Sequence, residues 1–569
     1  MVSQSFNLTT DPWIKVIQTD TGQEKRVSLI DLFTNAQDYR QLAGDMRSQD
    51  FAILRLLLAI LTTVYSRYDA TDTPYVWATV DANTLQATAI ADDEEIPDDL
   101  MDTWNRLYQA GHFSEIVTTY LKRYAERFNM FGEQPFYQVT TADYDALVPS
   151  NKRIANGKGQ VLVKQLNRRI SESANTPSIF TPKTGEQKNA IAIDELARWL
   201  ITYQNFTGVT DKTKIKTADK FSNSAGWVYR LNPVYAQGQT VFETLMLNLI
   251  LVGEHTDPLA RQKPVWEYAT VQDYIAVRKQ QVVPDNLAEL YTTWSRILHI
   301  EWPDERHPLI FSAGIPMFDA TGAFIEPMTT WRIDKKTSEY RPAVKGLRSL
   351  GISMWRGFGS YVNVHGDPKQ PEPGIVSWLH VIKNQDGSVI ADRKPITLAS
   401  ATLISDGNAT SQSPAVEVAD DMRLQADVLF DNKDVAEHWP VRIEEAINDT
   451  QAVGKDFYSF AATVGQIRNV DVRPFASHLS AQFYQNLNEP FKAWLAQLSG
   501  DDDRDLKIKE WRAQLEDLLN VTVRDVMKTS SPRDISGIED DKGRQVNIFI
   551  ARSQLSYNVR KHLGPKDKE

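Results

Sequence analysis

The chain has 569 residues, 42% of them hydrophobic and 24% charged, and a formal net charge of −11. These values are ordinary for folded globular protein and exclude intrinsic disorder, collagen and coiled-coil fibre as descriptions of the whole; the length holds several domains. There is no cysteine, which excludes disulfide, zinc–thiolate, iron–sulfur and thiol-nucleophile chemistry.

Met1–Leu8 lacks the basic start and apolar core of a secretory signal. Trp13–Ile17 reads as a strand, Asp20-Thr21-Gly22 as its turn and Arg26–Leu29 as the return. A helix follows, with Ser48 as N-cap and Asp50 in its first turn. Its apolar stripe is Phe51, Leu54, Leu58 and Leu61, widened by Ile53 and Leu57. The run Phe51–Tyr65 is shorter than the ~20 residues of a membrane span and carries Arg55, so a core helix is expected. The expectation is a cytoplasmic protein with no membrane partner. Asp92–Asp102 reads as a solvated loop or helix start.

The middle of the chain mixes signals. Ile191–Tyr203 and Val241–Leu251 read as helices. Phe206–Ala225 is polar, lysine-rich and aperiodic, and predicts a long exposed loop. Ile375–Ile382 and Val389–Ala391, joined across Asp386-Gly387, predict a second hairpin. From about Val435 four long helical segments follow, roughly 437–465, 475–498, 504–528 and 546–563. Amphipathic helices with short connections and no strands between them imply a four-helix bundle. The predicted fold class is α+β: a large mixed domain over 1–432, then a four-helix bundle over 433–569.

Motif searches propose no catalytic residue, no metal site and no cofactor. The closest histidines, His299 and His307, are eight apart, and Asp143-Tyr144-Asp145 is an isolated D-x-D. Gly157-Lys158-Gly159 and Gly357-Phe358-Gly359 start like dinucleotide loops but lack the third glycine. No nucleophile elbow is present. What stands out is charge asymmetry. Asn151–Lys220 holds thirteen Lys or Arg against six Asp or Glu, and Pro327–Val362 holds seven against two. An acidic protein with basic stretches can hold a polyanion in one groove. Within the first stretch, Pro177 and Pro182 bracket an apolar tip beside Lys183.

Five strings carry a resemblance: Phe6–Val16 (FNLTTDPWIKV), Leu42–Leu61 (LAGDMRSQDFAILRLLLAIL), Phe131–Val139 (FGEQPFYQV), Ala197–Phe206 (ARWLITYQNF) and Thr240–Leu251 (TVFETLMLNLIL). In this order they resemble the CasA family, the large subunit of the type I-E CRISPR surveillance complex Cascade. The resemblance implies a subunit without catalytic activity. Its implied partners are the other Cascade subunits, the CRISPR guide RNA, double-stranded target DNA and a recruited helicase–nuclease. It implies reading of a protospacer-adjacent motif and opening of the duplex beside it, with sequence recognition left to base pairing, as in other guided effectors.

The resemblance also implies three nucleic-acid-binding elements. A loop near the motif and the guide's end corresponds to Ser173–Lys188, with Ile179, Phe180 and Thr181 at its tip and Lys183 behind. A minor-groove loop corresponds to Thr207–Gly226. It keeps Gly208 but is otherwise poor in glycine, and Lys212, Lys214, Lys216 and Lys220 favour phosphate contacts. An amide-tipped wedge corresponds to Gln412, flanked by Ser411 and Ser413. A further basic contact of the family has no lysine here, near Ala313. Two alternatives stay open: a scaffold binding only guide RNA and sibling subunits, and a polymer hydrolase, which demands a deep pocket with two facing carboxylates.

Overall fold

The computed structural model describes residues 5–167, 169, 183–208, 210–222, 224–253, 257, 259–364, 371–385, 387–405, 414–431, 438–539 and 543–564. The tip residues Ile179, Phe180 and Thr181, and Ser411, Gln412 and Ser413, lie outside them. The chain divides into two compact units. One comprises Met1–Leu350, Gln370–Val389 and Leu398–Asp420; the other comprises Gly351–Lys369, Ile390–Thr397 and Asp421–Glu569.

The first unit begins with a three-stranded antiparallel sheet, Ile14–Gln18 between Glu24–Val27 and Tyr39–Leu42. Ile14 pairs with Val27, and the turn closes through Gly22 in the left-handed region (φ +67°). The helix Arg47–Tyr65 follows. It is long and apolar enough to cross a membrane by length and composition, yet every residue from Ser48 to Tyr65 is buried inside the unit. Burial on all faces is what a stripe widened by Ile53 and Leu57 produces.

The start of this helix departs from the sequence reading. Met46, not Ser48, is the N-cap, and its side chain makes no capping bond. The free helix amides are met instead by the carboxylate of Glu417, which accepts from Ser48 N (2.6 Å) and Arg47 N (3.3 Å). A charged acceptor from a distant strand satisfies the positive end of the helix better than a neutral hydroxyl. Asp50 turns back to accept from Gly44 N at 2.7 Å. Its burial, opposed only in part by Gly44 and Arg47, pushes its carboxyl up to about 7. A raised folded pKa stabilises the protein below the unfolded value, and that contribution is lost as pH rises toward 7. Relative to Asp50→Asn, the wild type is expected to lose about 2 kcal/mol between pH 5 and 7.5. Parallel denaturant melts of the two proteins measure it; identical pH profiles would refute it.

Arg55, the one cation in the apolar run, is fully buried and paired bidentately with Glu326 (2.9 and 2.8 Å). Glu326 also accepts from Trp227 Nε1 (2.6 Å) and Met328 N (3.0 Å). The guanidinium lies 4.4 Å over the Tyr291 ring.

The predicted second hairpin is not there. Gly374–Asn384 is a helix whose N-cap is Pro373. Ile375, Trp378, Leu379 and Ile382 form its buried face at spacings of three, four and seven. Trp378 meets Trp104 edge-on at 5.9 Å. The Asp386-Gly387 turn signal suggests flanking strands, but the apolar residues before it recur at helical period, and their burial decides the element.

The second unit is built on Trp439–Arg468, Val472–Gln497, Arg504–Lys528 and Ile548–Leu563. The first of these packs against the other three. The core is aromatic: Trp355 stacks on Phe491 at 4.1 Å, and Phe491 meets Trp511 edge-on at 4.9 Å. Trp511 Nε1 donates to Thr450 Oγ1 at 2.9 Å, so its polar edge is satisfied inside the bundle. Asp503 caps the third helix and Asn547 the fourth. The bundle and the α+β class are as the periodicity predicts. One detail differs: a two-residue ladder, Ile538–Glu539 with Gln545–Val546, lies between the third and fourth helices.

Candidate nucleic-acid interface

The strand Leu309–Gly314 organises the lysine-rich region. Arg296–Glu301 pairs along one edge, with Arg296 opposite Gly314. Along the other edge Gln160 and Val161 pair with Phe311 and Ile310. Further along, Gly314 N–H donates to Thr213 O (2.9 Å) and Gly314 O accepts from Ile215 N (3.0 Å). Both backbone polar groups of Gly314 are therefore used by the lysine segment, as a parallel bridge centred on Lys214.

This corrects the expectation of a fully exposed, aperiodic loop. Thr213 and Ile215 are buried, Lys212 and Lys216 are exposed, and Lys214 is half-buried. Lys-Thr-Lys-Ile-Lys alternates with period two, the signature of a half-buried strand edge, and that signal was legible in the sequence. Buried Arg296 holds the segment from beneath, donating to Asp211 O (3.0 Å) and Thr213 O (3.3 Å). Ser224 on the return leg donates to Ile315 O at 2.5 Å. The base closes where Gly226 N donates to Thr207 O at 2.8 Å. A Cβ at Gly226 would collide with the Asn205 carbonyl, so only glycine fits there.

The predicted contact residues separate into groups. Lys212, Lys216 and Lys220 are exposed and form no ion pair among the described residues. Lys214 Nζ is spent inside the segment, donating to Phe221 O at 2.6 Å and lying 5.0 Å from that ring's centroid. Gly208 is buried, and its carbonyl accepts from Thr207 Oγ1. Lys183 donates to Ala190 O (2.9 Å) and to both carboxylate oxygens of Glu195 (3.2 Å each). Its charge is thus matched within the protein. Ala313 is completely buried in the central strand, a position that could not present a basic side chain outward.

The second basic stretch is dispersed. Arg332, Lys335 and Lys336 are exposed around the hairpin of Trp331–Ile333 and Tyr340–Pro342. Arg341 lies near Asp334 (4.0 Å) and Glu339 (3.7 Å). Burial lowers the Lys345 pKa. Arg356 belongs to the other unit, where it lies 3.6 Å from the Tyr484 ring centroid.

The hydrolase alternative needs two carboxylates facing each other in a deep pocket. A cavity of about 270 Å³ is lined by Phe136, Tyr137, Trp266, Tyr268, Tyr274 and Trp294, with Glu133 and Asp143 at its wall. Asp143 is engaged by Thr140 Oγ1 (2.8 Å) and Gln272, and Glu133 is exposed. This is an aromatic pocket, not an acid–base pair. Among the described residues no group of three histidines or carboxylates stands close enough to hold a metal ion.

A mixed unit with a lysine-bearing sheet edge, followed by a helical bundle, defines a class of large two-unit α+β proteins with solved relatives. Thermobifida fusca Cse1 is similar with a TM-score of 0.74 and 21% identity, covering 98% of each chain. Cse1 from Acidimicrobium ferrooxidans gives 0.71 and 21%, covering 99% of this chain and 98% of that one. A chain of a CRISPR RNA-guided surveillance complex gives 0.59 and 12%, covering 98% of this chain and 99% of that one. At these identities the likeness establishes the fold. No curated protein sequence matches.

The family description CRISPR-associated protein Cse1 matches residues 7–520, nearly the whole chain. The protein belongs to this family, CasA or Cse1, the large subunit of Cascade.

Proposed function

We propose that this protein is the motif-reading, duplex-opening subunit of a type I-E CRISPR complex in the cytoplasm. In this reading it has no catalytic activity of its own. It assembles with the other Cascade subunits and the guide RNA, engages the protospacer-adjacent motif on double-stranded target DNA, and recruits a separate helicase–nuclease. The contacts are assigned to residues 1–432, with the bundle from 433 onward as the second domain.

The observation that carries the reading is the lysine-bearing sheet edge. Three exposed cations, without an ion pair among the described residues, stand on a segment fixed to a buried strand and closed at its base by Gly226. A fixed edge places charge without demanding a base sequence, which suits anchoring beside a degenerate minor-groove readout. Gln412, between Ser411 and Ser413, is assigned as the wedge, and Ile179, Phe180 and Thr181 as a tip near the motif.

Opening the first base step forfeits about 1.4 kcal/mol of stacking, so a wedge that offsets it is worth about tenfold in the open population. Gln412→Ala is expected to lower duplex opening about tenfold while initial DNA encounter stays unchanged. A fluorescent-base opening assay on the assembled complex reads both; wild-type opening by the variant would remove Gln412 from this role. The scaffold alternative is separated by duplex binding: the proposal requires that binding depend on the adjacent motif.

A further inference from the structure

Gly157-Lys158-Gly159 is too short of glycines to be a nucleotide loop, but the fold gives it a definite place. Ser150–Lys152 and Ile154–Asn156 are short 3₁₀ turns. Asp145 ties the second to the helix Thr141–Leu147 by accepting from Ile154 N at 2.8 Å. Gly157 (φ +61°) and Gly159 (φ +85°) then reverse the chain in the left-handed region, where other residues are strained. Gly159 O accepts from Ser312 N at 2.8 Å, on the same strand edge that receives Thr213 and Ile215 two residues later.

The two segments adjoin. A Cβ added at Gly159 would stand 3.2 Å from Thr213 Oγ1 and 2.9 Å from Tyr144 Oη. Thr213 lies between Lys212 and Lys214, and Lys216 N donates to Leu147 O, at the end of the Asp145-bearing helix. Arg153 and Lys158 are exposed and Lys152 is half-buried; none forms an ion pair among the described residues. The Lys158 amide likewise has no partner among them. Two acids of these segments are engaged by backbone amides, Asp145 by Ile154 N and Asp211 by Thr213 N (2.6 Å), while Asp219 is exposed.

We propose that Lys152, Arg153 and Lys158 form a second phosphate-binding segment that grips the backbone of the target duplex beside the Lys212–Lys220 segment. This rests on the duplex-reading function above. From the level of Phe311 to that of Gly314 the strand edge runs about 10 Å, along which one DNA strand presents about three phosphates. Two adjoining basic segments enlarge one anchoring surface for the duplex backbone that the proposed function requires. The Lys158 amide, without a partner among the described residues, adds a donor suited to a phosphate oxygen.

The test uses the assembled, guide-loaded complex with Lys152→Ala, Arg153→Ala and Lys158→Ala combined. Binding to motif-bearing and motif-free duplexes is measured across salt concentration. The log–log salt slope should shrink by about 0.9 per lost contact, about 2.7 in all, equally for both duplexes. Guide RNA content should not change. An unchanged slope, with wild-type motif dependence intact, overturns this proposal alone. Loss of guide RNA from the purified variant overturns it in favour of an RNA contact. A wild-type complex indifferent to the motif overturns the function beneath it as well. If the triple variant melts early, Lys158→Glu carries the test, because that side chain is exposed and forms no ion pair among the described residues; its slope must fall by at least about 0.9.

Discussion

Glu326→Ala is expected to destabilise the first unit by about 3–5 kcal/mol. Arg55 and Glu326 are both completely shielded from water. Removing the carboxylate leaves a guanidinium in the middle of an apolar helix with no counter-charge, and orphans Trp227 Nε1 and Met328 N as well. Replacing both partners by apolar residues of similar size, Arg55→Met with Glu326→Leu, should cost far less, because no charge is then stranded. Denaturant unfolding followed through the first unit's tryptophans measures the difference. If the single variant is as stable as the double, the buried pair does not hold the core together. Trp227 immediately follows Gly226, so losing Glu326 also loosens the base of the lysine segment. DNA binding by Glu326→Ala should weaken even where the protein remains folded.

Lys212→Ala, Lys216→Ala and Lys220→Ala together should flatten the salt slope of duplex binding by about 2.7. Between 50 and 200 mM salt that corresponds to about 40-fold less loss of affinity than the wild type suffers. Lys214 does not belong to this set. Its ammonium is bonded to Phe221 O, so Lys214→Ala should disturb the fold of the segment instead of removing a phosphate contact. A triple variant with the wild-type slope would exclude these lysines from the interface. The comparison of Lys214→Ala with the triple then distinguishes a charge effect from a structural one. In Lys214→Ala the slope persists while affinity falls at every salt concentration.

Much of the fold was legible because its signals are local. The bundle helices announce themselves by apolar residues at three- and four-residue spacing, and Asp503 and Asn547 stand where caps belong. The hairpin at Ile14–Val27 follows from alternation around Asp20-Thr21-Gly22. Gly374–Asn384 reads as a strand only when the Asp386-Gly387 turn signal is set above the helical period of its buried face. The segment at Lys212–Lys216 reads as a loop because its alternation covers only five residues within a longer polar stretch.

The amino-acid sequence alone determined the class, the bundle, the absence of thiol chemistry and the concentration of cations in a few stretches of an acidic chain. Only the tertiary structure decided which of those cations are available. Lys183 faces Glu195 and Lys214 folds onto Phe221, while Lys212, Lys216 and Lys220 remain exposed, and Lys158 is brought beside them. The reason is physical: composition counts charges, but whether a charge meets a counter-ion depends on residues far apart in sequence. Here one buried strand, Leu309–Gly314, brings two basic segments more than fifty residues apart onto a single edge.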